Sequence, residues 1–173
     1  NHGIYSSQIV KAFAAYIQPA SHYQDVMNHI GVLRRYLTKP EFHQLLIRCA
    51  TAQLDHLIKQ SKQREISAVL SALPKSVSQH ESMSYYRIEA MLVVNNTDGI
   101  MRCLRETAFS DKRVVTQLIS LEVDLVDKIK LVEELLLRQV DHPDLLYVLS
   151  YLHAQAGEVG DTVKLLEQAI NAK

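Results

Sequence analysis

Between His142 and Ile170 the chain reads HPDLLYVLSYLHAQAGEVGDTVKLLEQAI, two helical runs broken by one glycine, and no other stretch restricts the fold as much. Leu145, Leu146, Leu149 and Leu152 recur at the spacing that places side chains on one face of an α-helix. Val163, Leu165, Leu166, Ala169 and Ile170 do the same in the second run. Gly157 stands between the runs, where the first helix must stop and reverse and where positive φ is cheap only for glycine. One such pair cannot bury its own apolar face, so it predicts neighbours of the same kind.

The rest of the chain supplies them. Ile9, Val10, Phe13, Ala14 and Ile17 stripe a first helix over residues 4–18, stopped by Pro19. Ser21 can cap a second to about Leu37, with Val26, Ile30 and Leu33 buried. Thr38-Lys39-Pro40-Glu41 combines a hydroxyl cap, a proline in the first turn and a carboxylate three residues on, and predicts a third helix to about Lys59. That helix buries Phe42, Leu45, Leu46, Cys49, Leu54, Leu57 and Ile58. Ser61 to Gln63 makes a turn, and Ile66, Val69, Leu70 and Leu73 form a short fourth helix that Pro74 ends. A fifth runs from Glu81 to Val94 with Tyr85, Ile88, Met91 and Leu92 inward. Asn95 and Asn96 tolerate a left-handed turn, and Thr97 or Asp98 caps a sixth through Ile100, Met101, Leu104 and Ala108. Asp111 can cap a seventh to about Leu121, and Asp124 an eighth striped by Ile129, Val132, Leu135 and Leu136.

Ten helices with short connections make an all-α chain of about five antiparallel hairpins. Five glycines, four prolines and 47% apolar residues leave little room for disorder, and the paucity of β-branched alternation leaves little room for sheet. The turns recur with a period: Ser61 to Asn95 is 34 residues (95 − 61) and Val123 to Gly157 is again 34 (157 − 123), while Asn95 to Val123 is 28. The C-terminal pair resembles a tetratricopeptide repeat. Leu146, Leu149, Ser150 and Gly157, then Leu166 and Ala169, match that family's large, large, small, turn-glycine, large and small positions, and the pattern is departed from at His153 and Thr162. The resemblance implies a solenoid (an α-α superhelix) over 1–173 as a single helical-repeat domain. Its repeats are clearest over 41–173, with an irregular helix pair over 1–40.

The middle stretch, Ser61 to Asp111, carries a narrower resemblance. A short helix ending in Leu73-Pro74-Lys75, a polar linker, a helix with Tyr85-Tyr86, a turn without glycine at Asn95 and the Arg105-Glu106 ending together resemble the C-terminal repeat domain of the HemY-like family, bacterial proteins associated with haem biosynthesis. Asn95 and Thr107 depart from that pattern, as does the segment from Lys112 to Leu118. The resemblance implies a soluble domain of a bacterial inner-membrane protein, on the cytoplasmic side, joined to the membrane only by a segment outside this chain. The opening Asn1-His2-Gly3, without a methionine, reads as the start of an excised fragment or as a tag scar, which leaves room for such an anchor upstream. No stretch here approaches the roughly 20 consecutive apolar residues of a membrane span.

Charge is balanced overall, with 19 basic and 19 acidic residues, but residues 1–80 hold nine Lys and Arg against four Asp and Glu, and residues 81–173 ten against fifteen. In a solenoid this makes a basic end and an acidic end. The neutral total lacks the field that nucleic-acid binding needs, and Arg34-Arg35-Tyr36 suits a helix C-terminus.

No phosphate loop, His-Glu-x-x-His, Cys-x-x-Cys or serine elbow is present, and the paired carboxylates Asp124/Asp127 and Glu133/Glu134 suit helix caps and a solvated face. Cys49 and Cys103 read as packed thiols, and no metal site is expected. The sequence therefore predicts a non-enzymatic protein–protein interaction scaffold that holds a peptide or helix in a concave groove. The groove-facing residues are Gln53, His56 and Gln60 on the third helix, Arg87 and Glu89 on the fifth, and Tyr147, Tyr151 and Gln155 on the ninth. The alternative is a carrier of haem or a porphyrin precursor held between hairpins, with His153 or Tyr151 as axial ligand.

Overall fold

The computed structural model of the chain describes residues 34–106 and 112–172, with positions 8, 9, 12 and 28. The first two expected helices lie almost wholly outside the described residues, as do Thr107, Ala108 and Asp111. All regular structure among the described residues is helical: α1 (Lys39–Lys59), α2 (Gln63–Ala72), α3 (Lys75–Ser78), α4 (Ser84–Val93), α5 (Thr97–Glu106), α6 (Lys112–Ser120), α7 (Leu125–Arg138), α8 (Pro143–Gln155) and α9 (Val159–Asn171), with a 3₁₀ turn at Glu81–Met83. The chain divides into two compact units, 1–90 and 91–173.

In the first unit, α1 opens with the expected capping box. The Glu41 carboxylate accepts from the Thr38 N–H at 2.9 Å and from its hydroxyl at 2.8 Å, and the Thr38 hydroxyl oxygen accepts from the Glu41 N–H. These bonds, the backbone one foremost, hold the Glu41 carboxyl below its ordinary range. Leu45, Leu46, Cys49, Leu54 and Leu57 are buried on α1 and meet Ile66 of α2 and Leu73 after it. Burial pushes the Cys49 thiol up to about 11, which makes it an inert packing group. The stretch expected as a polar linker after Pro74 is instead α3 and the 3₁₀ turn, with Val77 and Met83 fully buried. Single-turn elements are too short to show a periodicity. A second difference falls on the tyrosine pair. Tyr86, not Tyr85, is the fully buried ring, and its hydroxyl donates to Asp55 Oδ1 at 2.6 Å.

The second unit is built around α8, which packs against α6, α7 and α9. Leu145, Leu146, Val148, Leu149, Ser150 and Leu152 are buried on it, so three of its sides are covered where the sequence suggested one. Ser150 tolerates this because its hydroxyl donates to the Tyr147 carbonyl at 2.7 Å. Two cations of α7 reach the ends of earlier helices. Lys128 Nζ donates to the Ile119 carbonyl at 2.9 Å and an Arg138 amine to the Arg105 carbonyl at 2.6 Å, satisfying acceptors that a helix terminus leaves open. Asp124 precedes α7 as expected but makes no side-chain cap, and α5 is capped by Asn96, whose Oδ1 accepts from the Gly99 N–H at 3.0 Å, rather than by Thr97 or Asp98. On α7 the buried residues are Leu131, Val132 and Leu135. On α9 the packed face is Thr162, Leu165, Leu166 and Ala169, whereas Val163 and Ile170, expected inward, are exposed. Thr162 sits half-buried on this face with its hydroxyl donating to the Glu158 carbonyl at 2.9 Å.

Three reversals share one geometry. After α1, Lys62 N–H donates to the Leu57 carbonyl and Ser61 N–H to that of Ile58; Asn96 and Asn95 repeat this on Met91 and Leu92, and Glu158 and Gly157 on His153 and Ala154. Each is a Schellman closure with one left-handed residue, Ser61 (φ 57°), Asn95 (φ 52°) or Gly157 (φ 81°). The loop at 121–124, expected to repeat the turn at Val123, has no left-handed residue. A paired substitution tests this reading. A Cβ at either Gly157 or Gly160 meets nothing within 4 Å, so only backbone conformation separates them. Gly157→Ala should destabilise by about 1 kcal/mol through left-handed strain, while Gly160→Ala, inside α9, should stabilise by about 0.5–1 kcal/mol in thermal denaturation.

Candidate functional site

Because α8 is covered on three sides, what it leaves open is well defined. Tyr147 is 57% exposed and Tyr151 40%, one turn apart, and Gln155 follows one turn later with its amide donating to the Tyr151 hydroxyl at 2.9 Å. Asp144 lies half-buried one turn before Tyr147, and Lys112 of α6 stands 4.0 Å from its carboxylate. The strip therefore offers two aromatic faces, an amide, and an ion pair at its N-terminal end. Tyrosines presented this way give large contact area at little entropic cost, with a hydroxyl for a polar partner.

The other expected groove residues belong to the first unit. On α1, His56 and Gln60 are exposed and Gln53 half-buried, spaced along one face, with the Gln60 N–H closing the helix on the His56 carbonyl at 3.0 Å. Arg87 and Glu89 on α4 are half-buried. Arg87 turns back on its own helix and donates to Ser84 Oγ at 2.9 Å. Arg87 is thus used internally rather than offered outward.

His153 and Tyr151 were expected as alternative axial ligands. They are two residues apart on α8, which directs them to different sides of the helix. The His153 side chain is 14% exposed and its Nδ1 lies 2.5 Å from Glu158 Oε2. Sequence reasoning missed Glu158 and, close by, Asp161. With His153 these form the cluster of metal-ligating side chains found among the described residues. The three span a reversal at intervals of five and three residues, so no single-helix spacing marks them. The remaining signal in the sequence was that His153 departs from the expected tetratricopeptide pattern.

No family model, no curated protein and no solved structure matches the chain. Among the described residues no helix is long and apolar enough to cross a membrane.

Proposed function

We propose that the chain is a non-enzymatic binding scaffold of the tetratricopeptide type, which takes a peptide or helix of a protein partner along α8. The observation that carries this is the exposed Tyr147–Tyr151–Gln155 strip on a helix otherwise enclosed by its neighbours. A helix so enclosed is held rigidly, so its remaining side chains are preorganised for contact, which lowers the cost of binding. The repeat assignment is supported by the 34-residue interval between the Ser61 and Asn95 closures and by α8 packing on both helices before it as well as on α9. If the expected resemblance of residues 61–111 to the HemY-like family holds, the partner is a protein met at the cytoplasmic face of a bacterial inner membrane.

Affinity capture from a bacterial envelope extract tests this. Tyr147→Ala with Tyr151→Ala should remove a specifically retained protein while leaving the melting temperature within a few degrees, because truncating exposed aromatics of a contact strip costs binding at about 2 kcal/mol or more per hot spot and folding little. Equal retention by the variant would reject the α8 strip as the binding surface.

A further inference from the structure

The last hairpin holds a second arrangement, independent of the tyrosine strip. His153 lies in the last turn of α8, Glu158 is the residue immediately before α9, and Asp161 lies in the first turn of α9. The reversal fixes them. Gly157 takes φ 81° and the Glu158 N–H donates to the His153 carbonyl at 2.9 Å, so the main chain itself brings these two residues together. One ligand atom from each of the three lies within 4.8 Å of the other two.

The two carboxylates are held in different ways. Glu158 is the N-cap of α9, yet its side chain accepts no backbone N–H there and instead meets the His153 imidazole. Asp161 holds the third helical position, and Lys164 lies 3.7 Å from it in an exposed ion pair. His153 is the least exposed of the three at 14%, against 52% for Glu158 and 59% for Asp161. An anchored imidazole and two adjustable carboxylates form a donor set that can close on an ion at about 2 Å per ligand by small side-chain rotations.

We propose that His153, Glu158 and Asp161 form a site for a borderline divalent transition-metal ion, Zn²⁺ or its neighbours Co²⁺ and Ni²⁺, that staples α8 to α9. One nitrogen with two carboxylate oxygens suits these ions, whereas Mg²⁺ and Ca²⁺ take oxygen alone. Two carboxylates neutralise the ion's charge and release Lys164. Three protein ligands leave at least one position for water or a partner's side chain.

The test is calorimetric titration of the purified chain with ZnCl₂ in a non-chelating buffer, with CoCl₂ followed by visible absorption and melting temperature read in parallel. One equivalent should bind, raise the melting temperature, and give the ligand-field bands of nitrogen–oxygen-coordinated Co²⁺. Glu158→Gln and Asp161→Asn, both exposed and expected to fold, and His153→Ala should each weaken binding by at least about tenfold. His56→Ala, on an exposed histidine elsewhere, should leave it unchanged, and excess Mg²⁺ should not compete. A titration without a saturable one-to-one phase overturns the assignment, and so does binding that survives Glu158→Gln and His153→Ala or is lost equally in His56→Ala. The Tyr147 and Tyr151 variants should bind the ion normally, which separates this site from the partner surface.

Discussion

Leu152→Ala should lower the free energy of unfolding by about 3–5 kcal/mol in urea denaturation, because the residue is fully buried on the helix that α6, α7 and α9 pack against. The removed methyl groups lose their transfer free energy, and Leu152 lies on the part of α8 that its neighbours enclose, where the cavity left behind collapses only in part. The neighbouring Tyr151→Ala, 40% exposed, supplies the control and should stay within about 0.5–1 kcal/mol of wild type. A Leu152→Ala loss below about 1 kcal/mol would mean that α8 is not enclosed, and the exposed strip on it would lose its rigid support.

Tyr86 gives the second large effect, and two substitutions separate its parts. Tyr86→Ala should cost about 3–5 kcal/mol, as for other buried aromatics, since the ring has no exposure and belongs to the core formed by α1, α2 and the turns after Pro74. Tyr86→Phe keeps the ring and removes the bond from its hydroxyl to Asp55 Oδ1, for about 1.5–3 kcal/mol, the range for hydrogen bonds to charged groups. Equal losses in the two variants would place all of the residue's contribution in the hydroxyl and contradict its burial.

Features decided within a few residues were legible in the sequence. The capping box at Thr38, the stop at Pro74, the left-handed positions at Asn95 and Gly157 and the leucine face of α8 follow from local backbone chemistry. Features decided across longer separations were not. Tyr85 and Tyr86 differ by one position, and what selects Tyr86 is a carboxylate 31 residues upstream that no periodicity reveals. On α9 the valines and isoleucine look as apolar as the leucines, yet the helix turns Leu165 and Leu166 towards the interior and leaves Val159, Val163 and Ile170 outside. Position on the hydrophobic scale is shared by both sets, and only docking against α8 distinguishes them. Of the candidate site, Tyr147, Tyr151 and Gln155 were found by excluding the leucine face, whereas Glu158 and Asp161 stayed hidden because they reach His153 across a turn.

The central place of α8 has a kinetic consequence. Helices α6 and α7 leave the ribosome before α8, so the contacts they make with it form only once residues 143–155 have been made. The contacts that then form are nevertheless short in sequence, since α6, α7 and α9 all lie within a few dozen residues of α8, and chains dominated by such local contacts fold fast. The second unit should therefore refold in one rapid step whose rate responds to substitutions on α8 and hardly to those on the outer face of α9.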